Sequence, residues 1–443
     1  MRIMGVFVAV LAMGCAGCGN RVASKKQSHA PVEPQQKRAL AAADGSPWTT
    51  VVESKPLSNQ IEKGLQYLAN QQLENGGWGQ GGGWRMAEGS QGRVEPGAEG
   101  YQQSTDVGNS AIALLTFVRA GNTPTRGPYK DNVRRGVEYL LASIDASDDE
   151  SMYVTDVRGT QIQHKIGAYA DTFLSLTTLA ELKGQMPTDE ANERLVASLD
   201  RVIGKIETNQ QDDGSYDGNQ GWASVLSQSF GNKGLNRAKQ AGVRVSAKTL
   251  ENIESSSSGS YSVTTRSFSS EKGSGKAAGV TLYEESAALA GMADSDNSAA
   301  QDEAEAQKIA TSKRASAVDK KRAKERIRSI KKRRAVKQAA TETVANKLGD
   351  QQFVAGFGSA GGEEYISYMN ISETLAAQGG EAWKKWDGNV TAALNEAQNE
   401  DGSWVGHHCI TGRTFVTASA LLTLMADRAP VPVEVAKLAA AKN

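Results

Sequence analysis

The feature that most restricts this chain is a motif that recurs three times. Residues 63–78 read KGLQYLANQQLENGGW, residues 201–216 read RVIGKIETNQQDDGSY, and residues 391–404 read TAALNEAQNEDGSW. Each is a helix that ends near a Gln, followed by two to four polar residues and then Gly-x-aromatic. A weaker copy starts at Arg135 with RGVEYLLAS and lacks both the Gln and the Gly. Ile61, Leu65 and Leu68 fall at helical spacing. An Asn-Gly or Asp-Gly pair stops the helix because Gly accepts a positive φ. The Trp or Tyr beyond the turn can lie over it, and the Gln amide can bond nearby chain ends.

Lys63, Gly64, Tyr67, Leu68, Gln72, Gly76 and Trp78 together resemble the QW repeat of the terpenoid cyclase and protein prenyltransferase superfamily. The second copy offers Gln211 and Tyr216, the third Gln398, Gly402 and Trp404. That resemblance implies an all-α, (α/α)6 toroid over residues 58–430, with inner helices forming a barrel inside an outer set. The helix pattern agrees with it. Outer helices are expected near 61–74, 130–143, 190–209, 244–256, within 300–347, and near 381–398. Inner helices, richer in small and apolar residues, are expected near 104–120, 164–183, 222–238, 282–293, 363–378 and 411–427. The chain has 46 Gly and only 10 Pro among 443 residues, which suits helices joined by glycine turns.

The N-terminus reads as an export signal. Arg2 precedes an apolar run from Ile3 to Met13, and AMGCAGCGN follows. Small residues before a cysteine resemble a bacterial lipobox, so the signal is placed at 1–18 and lipidation at Cys18 or Cys15. Residues 19–57 read as a flexible tether and 431–443 as a C-terminal tail. The expected location is outside the cytoplasm, lipid-anchored to the cell envelope, at the periplasmic or outer-membrane face.

Within the toroid, 255–345 departs from the pattern. SSSSGSYSVTTRSFSS opens a Ser-rich stretch, residues 255–276, read as a surface loop. Seven acids then fall within 283–305, and 13 Lys or Arg against two acids within 313–337. The basic run reads as a solvated outer helix, with anionic lipid or envelope polymer as its partner class. Nucleic acid is excluded behind an export signal, and the 50 to 50 balance of charges gives no global field for it.

Every inner helix should start at the same end, so those starts and their preceding loops form the mouth. They bring Asp106, His164, Trp222, Tyr283, Glu363, Tyr365 and Arg413 forward as ligand-binding candidates. The sharpest local feature is GHHCITGRTF, residues 406–415, where His407, His408 and Cys409 combine imidazoles with a thiol. A zinc ion there needs Cys409, one His such as His408, and a carboxylate such as Glu363. The superfamily's prenyltransferases hold zinc with an Asp, a Cys and a His on inner-helix starts, but their sequence order is not kept here. The same residues also suit a thiol nucleophile, with Cys409 paired to His407 or His408.

Other chemistries lose their markers. The nearest approach to the Asp-x-Asp-Asp acid of class II cyclases is DASDDE at 145–150, which has the wrong spacing. The glycine-rich stretches around 75–100 and 356–362 lack a P-loop Lys-Ser/Thr. Three readings stay open. The first is a binding or scaffold module whose mouth takes a peptide, glycan or isoprenoid-like ligand. The second is a zinc- or thiol-dependent hydrolase or transferase. The third is a polysaccharide-active enzyme using Glu363 and Asp106 as acid and base.

Overall fold

The computed structural model describes residues 48–84, 93–94, 103–269 and 275–440. Cys15, Cys18 and the tether up to residue 47 lie outside the described residues. Twelve long helices alternate between two layers. The outer layer holds α1 (Asn59–Asn70), α3 (Lys130–Ala146), α6 (Asp189–Asn209), α8 (Ala247–Gly259), α10 (Ala317–Lys347) and α13 (Gly380–Ala397). The inner layer holds α2 (Val107–Arg119), α5 (Ala170–Leu182), α7 (Ser224–Gln240), α9 (Thr281–Thr311), α12 (Gly362–Gln378) and α14 (Arg413–Leu424). The inner helices touch in the cyclic order α2, α5, α7, α9, α12, α14 and back to α2, so the ring is closed. The architecture is all-α, as expected, and every expected helix has an observed counterpart, although α9 runs 18 residues past the end expected for it at 293. Short helices α4 (Gln161–Ile166), α11 (Gln351–Val354) and α15 (Val433–Ala440) complete the set.

The two layers differ for a reason visible in composition. All but one residue of α2 and every residue of α5 is buried. A helix surrounded on all sides must be small or apolar on all sides, and VGNSAIALLTFVR and ADTFLSLTTLAEL meet that requirement. Most of their hydroxyls bond backbone carbonyls, within the helix or across to a neighbouring segment. Thr116 Oγ1 donates to the Ile112 carbonyl at 2.8 Å, and Thr177 Oγ1 to the Phe230 carbonyl at 2.8 Å. Outer helices such as α6 bury one stripe, Leu195, Leu199, Val202 and Ile206, and expose the rest.

Each of the three repeat turns links its outer helix to the next one round the ring. Gln72 Nε2 donates to the Gly76 carbonyl at 2.8 Å and to that of Asn132, in the first turn of α3, at 2.9 Å. Gln398 Nε2 does the same to Gly402 and to Gln60, in the first turn of α1, both at 2.9 Å. The last repeat is thereby joined to the first. In the middle copy the residue at this place is Gln210, not the expected Gln211. Gln210 Nε2 bonds the Tyr216 hydroxyl at 3.3 Å and the Thr249 carbonyl of α8 at 3.4 Å, while Gln211 is exposed. Counting six residues back from the aromatic, as from Trp78 to Gln72, finds the right one. Gly76 and Gly402 both sit at φ +88°. A Cβ there would fall 2.4 Å and 2.5 Å from the carbonyl oxygens of Arg135 and Lys63, so glycine is required on two counts.

The other end of the barrel holds a network that the sequence reading did not anticipate. Arg119, Glu181, Lys233, Arg237, Asp294 and Glu373 are all almost completely buried. Arg119 bonds Glu181 at 2.5 and 2.6 Å and Glu373 at 2.9 Å. Lys233 bonds Glu373 at 2.7 Å and lies 3.2 Å from Asp294, and Arg237 lies 3.5 Å from Glu181. Three cations meet three anions where the ends of the inner helices converge. Burial pushes Glu373 up, but Arg119, Lys233 and Arg237 outweigh it and hold the carboxyl at about 2.

Three expectations change. Strand β1 (Trp48–Thr49) pairs antiparallel with β6 (Val431–Pro432), so the end of the expected tether and the expected tail belong to the body. Ser255–Gly259 completes α8, and a hairpin of β4 (Tyr261–Ser262) and β5 (Ser267–Phe268) follows instead of a plain loop. The Tyr261 hydroxyl donates to the Ala339 carbonyl at 3.0 Å, fixing that hairpin to α10. Finally, α10 is not solvated on all sides. Its inward face is paired with the acids of α9: Arg334 to Asp296 and Glu303 at 2.9 and 2.8 Å, Lys337 to Asp296 at 2.6 Å, and Arg326 to Asp302 at 2.6 Å. A small two-stranded sheet of β2 (Gly83–Trp84) and β3 (Arg93–Val94) stands beside the mouth.

Candidate functional site at the ring mouth

The inner helices run in one direction, because starts contact starts and ends contact ends. The loop before α14 turns tightly against the start of α12. His407 N–H donates to the Ala360 carbonyl at 2.9 Å, and Gly362 N–H to the Ile410 carbonyl at 2.9 Å. Gln161 Oε1 accepts from the N–H groups of Thr411 and Gly412 at 2.9 and 3.2 Å. Cys409 sits inside this turn at φ +50°, the left-handed region that a side chain enters at a cost of about 1–2 kcal/mol. The surrounding bonds over-determine that strained position.

The turn brings Glu363, His408 and Cys409 together. Their ligand atoms, a carboxylate oxygen, a ring nitrogen and Sγ, all lie within 4.8 Å of one another. Glu363 is fully buried. Its Oε2 accepts from Ile410 N–H at 3.2 Å, while Oε1 has no hydrogen-bond partner. Burial raises the carboxyl to about 7. His408 is held through Nε2, which contacts the Ser359 carbonyl and lies 3.2 Å from Glu364 Oε2. Its Nδ1 is buried without a hydrogen-bond partner. The neighbouring Cys409 and the Glu364 carboxylate hold the imidazole up to about 10.

Glu364 organises the site from behind. Its oxygens accept from Phe357 N–H at 3.0 Å, Gly361 N–H at 2.8 Å and the Tyr283 hydroxyl. Burial and the Glu364 charge drive the Tyr283 phenol far above its usual range, so it stays a donor. A carboxylate that holds an imidazole in place is the usual partner behind a metal-bound or catalytic histidine. Above the cluster stand two exposed aromatics, with the Phe357 ring 5.2 Å from His408 and 6.3 Å from Trp222. Sequence reading named Tyr283 and Trp222 but not the supporting role of Glu364, nor Phe357. The Glu-Glu pair at the helix start was the available signal.

Other candidates fall elsewhere. His407 is exposed and is not part of the cluster. His164 lies in α4, not at an inner-helix start, and its side chain is exposed. Asp106 caps α2: its oxygens accept from Asn109 N–H at 2.7 Å and Asn109 Nδ2 at 2.8 Å. Burial, then the charge of Asp171, raises Asp106 to about 7, whereas the charges acting on Glu363 are those of Glu364 and His408. Tyr365 is buried beside Tyr368, at 6.1 Å, in the core between helices. Arg413 braces the last repeat turn, with Nη1 2.7 Å from Ser403 Oγ and 3.5 Å from Asp401. Asp148 of the acidic DASDDE run folds back on its own loop, accepting from Glu150 N–H and Ser151 N–H at 2.8 and 2.5 Å. A polar cleft of about 430 Å³ between α8, α9 and α10 lies away from the cluster. Its charged groups are mostly spent on one another, as in Lys239–Asp302 and Arg326–Asp302.

No family model and no curated protein matches the chain. Among solved structures, the chain is similar to a type II terpene cyclase from Scytonema, in complex with its substrate geranylgeranyl dihydroxybenzoate. The likeness covers 84% of this chain and 96% of that one, at a TM-score of 0.47 and 11% identity.

Proposed function

We propose that this protein is a ligand-binding α/α toroid of the cell envelope whose site is a metal centre built from Glu363, His408 and Cys409. The observation that carries this reading is the convergence of three chemically suited ligand atoms within 4.8 Å, two of the residues holding a buried atom with no partner. A carboxylate, an imidazole and a thiolate form a set suited to zinc. Bond lengths of about 2.0–2.3 Å place tetrahedral ligands roughly 3.3–3.8 Å apart, so the cluster need close by only about 1 Å. Three protein ligands leave one position free for an oxygen of a peptide, glycan or isoprenoid-like ligand arriving past Trp222 and Phe357.

The full-length protein, exposed to zinc and dialysed, should retain about one equivalent per chain. Glu364→Gln should weaken binding by about 10–100-fold, and Glu363→Gln or Cys409→Ser by more. Both Glu363, at about 7, and His408, at about 10, must release protons before they can ligate. Zinc affinity should accordingly rise with pH through that range, with proton release on binding. Protein that remains zinc-free throughout would refute the metal reading.

A second reading has its own support. His408 stands between Cys409 and Glu364, the order of a thiol nucleophile, its base and an orienting carboxylate. In that case Cys409 in zinc-free protein should react quickly with thiol reagents below pH 7. An inert thiol removes this reading.

The lipid anchor belongs to the same proposal. The AMGCAGC segment supports it, and no described helix is long and apolar enough to cross a membrane. A palmitate analogue should label the protein in cells, and labelling that persists after Cys15→Ser with Cys18→Ser would reject the anchor.

A further inference from the structure

The helices α9 and α10 are the longest of the described chain, 31 residues each against 17 for α7. At 1.5 Å per residue they span about 46 Å, against about 26 Å for α7. Lys239, at the end of α7, meets Asp302 at 3.0 Å, and Arg326 meets Asp302 at 2.6 Å. Residues 303–325 continue past that level as a helical hairpin reaching about 14 Å farther. The hairpin therefore projects from the end of the ring opposite the mouth.

Its surface has two properties that do not serve the fold. The tip exposes Ile309 and Val318, the latter 59% exposed. Between α9 and α10 there, an open groove of about 610 Å³ is lined partly by Ala306, Ile309, Ala315 and Ala323. Around and behind the tip lie exposed cations that pair with no acid among the described residues, including Lys313, Arg314, Lys321, Lys324, Arg328 and Lys331. The last four recur at i, i+3, i+7 and i+10, which places them on one face. That face is opposite in role to Arg334 and Lys337, which are committed to Asp296. Unpaired like charges repel within the folded protein, so they contribute nothing to its stability.

We infer that the tip of the α9–α10 hairpin and the outward face of α10 dock on an anionic phospholipid bilayer. Exposed apolar residues beside a cationic stripe match the two components of an interfacial membrane contact, shallow apolar insertion and attraction to anionic headgroups. The position of Trp48, the first residue of the described body, agrees. Trp48 lies at this same end, its ring 5.5 Å from the Arg237 guanidinium of the buried network. A bilayer on that side leaves the mouth facing away from it. The inference is independent of the metal site and needs no acyl chain.

The test is sedimentation with vesicles, using full-length protein carrying Cys15→Ser and Cys18→Ser so that acylation cannot contribute. Binding to phosphatidylglycerol-containing vesicles should exceed binding to pure phosphatidylcholine by more than tenfold at low salt and fall steeply as salt is added. Reversing Lys321, Lys324, Arg328 and Lys331 to Glu should reduce the anionic-vesicle binding at least tenfold with the melting temperature preserved. Val318→Ser should reduce it several-fold by a route insensitive to salt. Equal binding to both vesicle types, or reversal without effect, overturns the inference. So does selective binding of a soluble sulfated polysaccharide with indifference to vesicles, which would assign the stripe to a polymer.

Discussion

Glu373→Ala is expected to destabilise the fold by about 3–5 kcal/mol, measured by denaturant unfolding near neutral pH. The carboxylate is buried and accepts from both Arg119 and Lys233, at 2.9 and 2.7 Å. Its removal leaves two cations out of water with one fewer anion, and the penalty is their lost compensation rather than the strength of one contact. The wild type offers a second reading of the same group. Because the folded pKa is lowered to about 2, the contribution is fully present above the unfolded value and disappears as pH falls toward 2. The acid limb of the stability curve should therefore be shallower in Glu373→Ala. A loss under about 1 kcal/mol would mean that the two cations find water or other partners.

Trp404→Ala should cost a similar amount, about 3–5 kcal/mol. The ring is fully buried, and its Nε1 donates to the Leu394 carbonyl at 2.7 Å. It occupies the seam where the last repeat meets the first. A Cβ on Gly64 of α1 would lie 3.0 Å from it, which explains the glycine there. Truncation thus opens a cavity at the point of ring closure and leaves a helix-end carbonyl without its donor. Trp84, 47% exposed, serves as the control, since Trp84→Ala should stay within about 0.5 kcal/mol. Equal and small losses at the two tryptophans would show that the repeat turn is not a packed joint.

Much of the candidate site was legible locally, and the reason is chain proximity. His408 and Cys409 are adjacent, and Glu363 could be named because α12 and α14 are consecutive inner helices whose starts share the mouth. The residues that went astray were assigned from position along a helix alone. Tyr365 is one residue beyond Glu364, yet a helical step of about 100° turns it into the core. Arg413 and Asp106 have the right address but are consumed by a repeat turn and a helix cap, and a cap is recognised by the N–H it serves rather than by its residue type.

The sequence by itself determined the helical architecture and the joints between repeats. Both depend on short-range patterns: apolar spacing along one helix, a glycine that accepts positive φ, and an aromatic a fixed number of residues after a glutamine. Only the tertiary structure decided where the charges go. Arg119, Glu181, Lys233, Arg237, Asp294 and Glu373 are spread over 255 residues of chain, between Arg119 and Glu373, and each looks like an ordinary polar surface residue in its own segment. They become a neutral buried network because five inner helices converge on one axis. The same holds for α10, whose cations divide into a paired face and an unpaired one only when α9 lies alongside. Ion pairing acts through space at distances of a few ångströms and has no period along the chain, so the ring had to close before the partners were defined.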